Sequence, residues 1–167
     1  MILAVDVNYR GSNAVAAGVL IQSWEDSESL EELIVPISTV AEYEPGQLYR
    51  RELPGVLGLL KRLDRLPEYI IIDGHVYLDG AKKPGLGKHL YDALQGKSAI
   101  IGVAKNRFKD TPSEAAVFRC GSKRPLYVTA VGIEESDAKG FIMRMHGEHR
   151  LPTILKRVDQ HSKAIGG

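Results

Sequence analysis

Hydrophobic residues open the chain in short runs that predict three consecutive β-strands. Residues 2–7 are almost continuously apolar, as expected for a strand that is buried on both faces. Polar residues 8–13 predict a turn, after which residues 14–22 would form a second strand that pairs with the first as a hairpin. Residues 33–37 predict a third strand, which we place at an edge of the sheet because Pro36 has no amide hydrogen to donate.

After residue 46 the pattern changes to an alternation of helices and strands. Leucine and valine recur at helical spacing between Leu48 and Leu63, which predicts a helix with Glu52 in its first turns. The elements predicted after it are a strand at 69–72, a helix around 86–94, strands at 99–104, 115–118 and 126–131, and helices at 134–145 and 152–162. This order predicts an α/β fold in which helices flank a mixed sheet, within one domain that spans residues 1–167.

Composition and charge are those of a globular protein, but they do not indicate a particular function. The chain is 44% hydrophobic and 26% charged, as is typical of globular proteins. Its net charge of +1 neither indicates nor excludes a nucleic-acid partner. Cys120 is the only cysteine, so an internal disulfide is excluded. The longest apolar stretch, residues 14–21, is too short for a membrane-spanning helix, which needs about 20 residues. Asp6 interrupts the first apolar run before a signal peptide could form. We therefore expect a cytoplasmic protein with no membrane partner.

Two aspartates stand where an apolar residue would be ordinary. Asp6 interrupts the first predicted strand, and Asp73 directly follows the run of isoleucines in the fourth. A buried carboxylate without a partner is strongly disfavoured, so each aspartate needs a metal ion, a cation or hydrogen-bond donors nearby. Because open α/β sheets place their active sites at the carboxyl ends of central strands, both are candidate ligands for Mg²⁺. Either aspartate taken alone is more typical of a strand-end turn or a helix cap.

Five segments match, in order along the chain, the sequence motifs of one enzyme family. They are Asp6-Val7-Asn8-Tyr9, the segment Tyr43-Glu44-Pro45-Gly46-Gln47-Leu48-Tyr49-Arg50-Arg51-Glu52, Asp73-Gly74-His75, Ile101-Gly102-Val103-Ala104-Lys105, and Arg150-Leu151-Pro152 followed by Asp159. Together they extend over essentially the whole chain. On these motifs the chain resembles the endonuclease V family.

The resemblance implies an RNase H-like fold and hydrolysis of a phosphodiester bond in DNA or RNA near a deaminated base such as inosine. It also implies that acidic residues hold Mg²⁺ or Mn²⁺. Carried over by position, Asp6, Glu52 and Asp73 are the metal ligands, and Asp159 is a fourth catalytic acid on the last helix. Lys105 then stabilises negative charge on the scissile phosphate.

The same resemblance implies a set of residues that contact nucleic acid. Tyr43, with Pro45 and Gly46, belongs to a wedge that enters between bases, and an extruded base lies near Gly85 and Leu86. Basic residues of the predicted loops would suit a phosphate backbone, although an ordinary solvated surface explains them equally well. They are Lys82, Lys83, Lys88, Arg107, Lys109, Lys123 and Arg124.

The chain departs from the family pattern where the base would be read. Glu42 and Glu44 flank Tyr43 at the wedge, where negative charge repels phosphates. Val76 stands in place of a glycine, and Asp79 stands where the family has a histidine, which changes the charge expected near the metal. Two alternatives therefore stay open. One is a catalytically weak or inactive nucleic-acid-binding module of the same fold, and the other is a metal-dependent hydrolase of small phosphorylated substrates.

Overall fold

A computed structural model of the chain describes residues 1–37 and 49–164. In this part of the chain, seven strands form one sheet in the order β3-β2-β1-β4-β5-β7-β6, and four helices pack against it. The strands are β1 (Ile2–Arg10), β2 (Asn13–Ile21), β3 (Glu31–Ile37), β4 (Tyr69–Asp73), β5 (Ala99–Ala104), β6 (Ala116–Val117) and β7 (Leu126–Val131). The helices are α1 (Tyr49–Leu60), α2 (Leu86–Ala93), α3 (Glu135–Arg144) and α4 (Thr153–Ala164).

The centre of the sheet is parallel and its two sides are antiparallel. β1 pairs in parallel with β4, and β4 pairs in parallel with β5. On the outside, β2 and β3 extend the sheet from β1, and β7 and β6 extend it from β5. The predicted mixed sheet flanked by helices is thus confirmed. Because β1, β4 and β5 run in the same direction, their carboxyl ends lie side by side at one end of the sheet.

The first two strands form the predicted hairpin, but β1 is longer than its apolar run. Residues 8–10, predicted to lie in a turn, continue β1 and pair with β2 as far as Arg10 opposite Asn13. The prediction was wrong because the hairpin ladder satisfies the backbone groups whatever the polarity of the side chains. β3 lies at an edge of the sheet, as Pro36 predicts.

Alternation along the strands divides the hydrophobic core between the two faces of the sheet. On one face, Leu3 of β1 packs in a cluster with Leu59 of α1. On the other face, Ala4 of β1 packs in a cluster with Val158 of α4. Because successive side chains of a strand point to opposite faces, Asp6 follows Ala4 onto the face that α4 covers.

The remaining elements lie close to their predicted positions. β5 and β7 coincide with the predicted runs 99–104 and 126–131. The strand predicted at 115–118 is reduced to the two residues of β6, because a 3₁₀ turn precedes it and Phe118 is exposed. Among the described residues, no helix has the length and apolar character required to cross a lipid bilayer.

Candidate metal centre

Three aspartates meet at the end of the sheet where the parallel strands finish. Asp6, Asp73 and Asp159 each offer a carboxylate oxygen, and these oxygens lie within 4.8 Å of one another. Asp6 stands on β1 just beyond its last parallel pair with β4, in which Val5 is opposite Ile72. Asp73 is the last residue of β4. The structure therefore brings together the carboxylates of three of the four acids that the sequence predicts to be catalytic.

Strand alternation explains why both strand-borne aspartates face the same helix. Ile71 stands two residues before Asp73, as Ala4 stands two residues before Asp6, and both apolar residues belong to the core cluster on the α4 side. Asp159 lies on α4 itself. Two strands of the sheet and the helix that covers one of its faces thus supply the three carboxylates.

Two lysines contact the carboxylate of Asp159. Lys105 directly follows β5, and its Nζ lies 3.3 Å from Asp159 Oδ1. The Nζ of Lys163, one helical turn after Asp159, lies 2.9 Å from the same oxygen. Burial raises the pKa of Asp159, but the hydrogen bond from Lys163 and the charge of Lys105 outweigh burial and hold this pKa below its usual value. Asp159 is therefore ionised at neutral pH.

The charges of the two strand aspartates are less well balanced. Burial raises the pKa of Asp6 to about 7 against the hydrogen bond from Ser162, and the charges of Asp73 and Asp159 add to the rise. The side chain of Asp73 is more exposed, but partial desolvation at the strand end still raises its pKa, against the charge of Lys105. Asp6 therefore keeps its full negative charge at neutral pH only when further positive charge is close by.

Glu52 approaches the same end of the sheet from the opposite face. It lies in the first turn of α1, and burial followed by the charges of Asp73 and Asp6 raises its pKa to about 8. Burial and the charge of Glu52 raise the pKa of Tyr9, whose ring centroid lies 4.0 Å from the guanidinium carbon of Arg51. Glu52 is thus close enough to interact with both strand aspartates, although it is not one of the three residues whose oxygens lie within 4.8 Å.

These side chains fit a divalent cation such as Mg²⁺ or Mn²⁺. All four acids are hard oxygen donors, which suit both ions better than they suit a soft metal. Desolvation, with neighbouring carboxylates as a further cause, raises the pKa values of Asp6, Asp73 and Glu52, and a divalent cation would supply the positive charge that offsets both effects. The pocket beside the aspartates is otherwise largely apolar, which limits competing polar contacts. Its apolar lining consists of Val5, Ile71, Ile72, Val103, Leu151, Leu155 and Val158.

The residues predicted to contact nucleic acid divide into two groups. Tyr43, Pro45 and Gly46 lie outside the described residues. Gly85 and Leu86 are buried where α2 begins. A side chain at Gly85 would place its Cβ 2.7 Å from the carbonyl oxygen of His75, so the backbone is tightly packed there. A role of these residues in binding a base stays a prediction.

Among the residues that depart from the family pattern, Val76 and Asp79 lie in the described part of the chain and have defined local roles. Val76 is fully buried, and its N–H donates to Thr129 Oγ1 at 2.8 Å. Asp79 Oδ1 accepts the N–H of Lys83 at 3.0 Å, and the Asp79 carbonyl accepts the N–H of Lys82. Asp79 therefore stabilises a turn, and it is not one of the three aspartates that form the close group.

The structure adds residues that the sequence motifs did not single out. Ser162 donates a hydrogen bond to Asp6 Oδ2 at 2.6 Å, and Lys163 pairs with Asp159. Helical spacing was a usable signal, because residues three and four positions after Asp159 lie on the same side of a helix. Arg150 donates to the carbonyl oxygen of Lys105 at 3.1 Å, which gives the Arg-Leu-Pro segment a role in holding this lysine.

Comparison with known sequences finds a protein family whose members match most of this chain. A family model described as Endonuclease V matches residues 1–150. The Endonuclease V of Alkalilimnicola ehrlichii is 28% identical over 174 residues, an alignment that covers 92% of this chain and 75% of that protein. The region that the family model matches includes Asp6, Glu52, Asp73 and Lys105, and it ends before Asp159.

Comparison with solved structures agrees with the sequence match. The Endonuclease V of Streptomyces avermitilis superposes with a TM-score of 0.80 at 25% identity, covering 98% of this chain and 79% of that chain. The Endonuclease V of Ciona intestinalis, in complex with a 24mer DNA containing an inosine followed by a ribo-adenosine, superposes with a TM-score of 0.79 at 19% identity, covering 98% of this chain and 84% of that chain. The second likeness shows the fold alone. The predicted RNase H-like fold is confirmed.

Proposed function

The chain belongs to the endonuclease V family, and on this premise we propose that it is a divalent-metal-dependent endonuclease. It hydrolyses a phosphodiester bond in DNA or RNA near a deaminated base such as inosine. One observation carries the proposal: the carboxylates of Asp6, Asp73 and Asp159 converge within 4.8 Å, beside Lys105, at the carboxyl ends of parallel strands. A cytoplasmic location stays a prediction.

The acidic residues have the task of holding the cation. When bound, Mg²⁺ or Mn²⁺ supplies positive charge that attracts the phosphate and increases the acidity of water. In this proposal Asp6, Glu52 and Asp73 are the ligands, and Asp159 completes the acidic group from α4. Their positions on strand ends and on two helices make the group rigid, so that little reorganisation accompanies binding.

Lys105 is the charge-stabilising residue of the proposal. Its Nζ lies beside the acidic group in contact with Asp159, so a phosphate that approaches the carboxylates also approaches this ammonium group. Positive charge at this point stabilises the negative charge that builds up on the phosphate oxygens during hydrolysis. The hydrogen bond from Arg150 to the Lys105 carbonyl supports this role, because it holds the backbone from which the lysine projects.

The base preference rests on the family more than on the acidic group. The Ciona intestinalis relative was crystallised with DNA containing inosine, and we extend recognition of inosine to this chain as part of the proposal. Tyr43, Pro45 and Gly46 would then contact the nucleic acid as a wedge, and Gly85 and Leu86 would lie near the extruded base. Charge and shape have changed in this region, so base preference needs a test of its own.

Cleavage of defined oligonucleotides tests the proposal directly. End-labelled single-stranded and double-stranded DNA and RNA, with and without one inosine, are incubated with the full chain and Mg²⁺ or Mn²⁺. We expect cutting at a fixed position near inosine. Replacing Asp73 by Asn preserves the size of the side chain and should lower the rate at least about 100-fold. The matched control is Asp64→Asn, which changes an exposed acid in the loop before β4, and it should cut like the wild type.

Other outcomes separate the remaining possibilities. Cutting that ignores inosine would keep the nuclease and remove the base preference. Binding without cutting in Mn²⁺, measured by gel shift, would contradict the nuclease and favour a nucleic-acid-binding module. If the folded protein binds no oligonucleotide at low salt, the nucleic-acid substrate itself is wrong, and small phosphorylated compounds become the substrates to assay.

A further inference from the structure

Ser162 contacts the acidic group from inside the fold. It lies on α4, is fully buried, and its Oγ donates a hydrogen bond to Asp6 Oδ2 at 2.6 Å. We propose that Ser162 is a positioning residue that orients Asp6 so that its other carboxylate oxygen, Oδ1, faces the divalent cation. This inference rests on the proposed function, because it assigns a further residue to the same metal centre.

Residues of α4 fix the position of one of the three carboxylates and contact a second one. Residues three positions apart are neighbours on a helix surface, so Asp159 and Ser162 point to the same region. Asp159 supplies its own carboxylate there, whereas Ser162 reaches Asp6 on β1, 156 positions away in the chain. The position of α4 therefore determines where one carboxylate lies and how another is turned.

A local explanation for Ser162 has to be weighed against this role. A serine inside a helix often bonds back to the preceding turn, and Ser162 Oγ also lies 2.9 Å from the carbonyl oxygen of Asp159. A hydroxyl has one hydrogen, so the two acceptors compete for it. The contact with Asp6 is the shorter of the two, and it becomes a stronger, charge-assisted hydrogen bond when Asp6 is ionised. The hydrogen is therefore assigned to Asp6.

The surroundings of Asp6 explain why a neutral donor suits this position. Asp6 is buried and faces the carboxylates of Asp73 and Asp159, which repel it. A hydroxyl fixes one oxygen of Asp6 without adding positive charge, so the acidic group keeps its attraction for a divalent cation. An ammonium group in the same place would compete with the metal. Such outer contacts orient metal ligands in many proteins, and their loss weakens metal binding about 10- to 100-fold.

Mn²⁺ binding to the full chain, measured by electron paramagnetic resonance without nucleic acid, tests the inference. Ser162→Ala should raise the Mn²⁺ dissociation constant about 10-fold, whereas Ser162→Thr keeps the hydroxyl and should bind Mn²⁺ like the wild type. Ser98→Ala is the matched control. Ser98 is also buried, but its hydroxyl donates to the Pro67 carbonyl at 2.7 Å, at the opposite end of β5. It should lose comparable thermal stability and keep its Mn²⁺ affinity.

Unchanged Mn²⁺ affinity in Ser162→Ala, or an equal weakening in Ser98→Ala, would overturn the positioning role. If Ser162→Ala does not fold, Ser162→Cys takes its place, because a thiol has similar shape and donates weakly. Cleavage by the wild type is scored in parallel. Mn²⁺ binding that depends on Ser162, in a protein that cuts no nucleic acid, would support the positioning role and contradict the proposed nuclease. A wild type that binds no Mn²⁺ would overturn both.

Discussion

The two lysines that contact Asp159 differ in how far their side chains are exposed to solvent. Lys105 follows a buried strand, and its side chain is 32% exposed. Lys163 lies in the last turn of α4, and its side chain is 59% exposed. An exposed ammonium group is mobile and is screened by water and salt, so its charge contributes less at a fixed point.

At the residue scale we therefore predict unequal effects of removing the two charges. Lys105→Met should lower the single-turnover cleavage rate about 100-fold, because a fixed charge beside the phosphate is lost. Lys163→Met should lower it by less than about 10-fold, because the charge of this exposed lysine is screened by water and salt. The rates are measured with saturating Mg²⁺ at neutral pH. Equal losses in the two variants would show that Lys105 has no special position.

At the scale of elements, the placement of α4 depends on one buried arginine. Arg119 follows β6 and is 1% exposed, and its guanidinium donates to the carbonyl oxygens of Met145, Gly147, His149 and Arg150. These carbonyls belong to the connection between α3 and α4. Arg119 thus satisfies backbone acceptors that the two helices leave free, and it sets the point from which α4 starts toward the acidic group.

Loss of this guanidinium should be strongly destabilising. Arg119→Met removes the donor from one buried and three part-buried carbonyls and places an apolar side chain where the buried guanidinium lay, so we expect the free energy of unfolding to fall by about 3 kcal/mol, measured by urea denaturation. The control is Arg144→Met, which removes an exposed arginine paired with Glu25 at 2.9 Å and should cost less than about 1 kcal/mol. Similar losses in both variants would contradict a structural role for the buried contacts.

At the scale of the whole molecule, the acidic group makes stability depend on pH. Burial raises the pKa values of Asp6 and Glu52 to about 7 and about 8, from ordinary values of 3.8 and 4.5. Between the ordinary and the raised values, the folded state binds more protons than the unfolded state. The free energy of unfolding therefore falls as pH rises through this window. A cation that binds the ionised carboxylates acts in the opposite direction, because it binds the folded state preferentially.

We predict that the metal-free protein loses roughly 5–10 °C in Tm between pH 5 and pH 8. Mn²⁺ should restore much of this loss at pH 8 and have little effect at pH 5, where protons compete for the carboxylates. Differential scanning calorimetry measures both effects and should show a single transition, since residues 1–167 are predicted to form one domain. Asp73→Asn should reduce both the loss and the response to Mn²⁺. A Tm that rises from pH 5 to pH 8 without metal would contradict the prediction.

The sequence by itself determined most of the strands of the sheet and the placement of Asp6 and Asp73 on one face of it. Apolar runs predicted the buried strands, and strand alternation relates Asp73 to Ile71 in the way that it relates Asp6 to Ala4. These features are local, because the alternation of a strand depends on consecutive residues alone. Local pattern failed at residues 8–10, where polar side chains predicted a turn and hairpin pairing continued the strand.

Only the tertiary structure decided from which face of the sheet each helix approaches the acidic group. The helix that carries Asp159 and Ser162 lies on the same face as Asp6 and Asp73, whereas Glu52 arrives from the other face. No local spacing expresses that difference, because it depends on which face of the sheet each helix covers. The contact between Ser162 and Asp6 joins the two ends of the chain, and contacts of this kind form only through packing of the whole core.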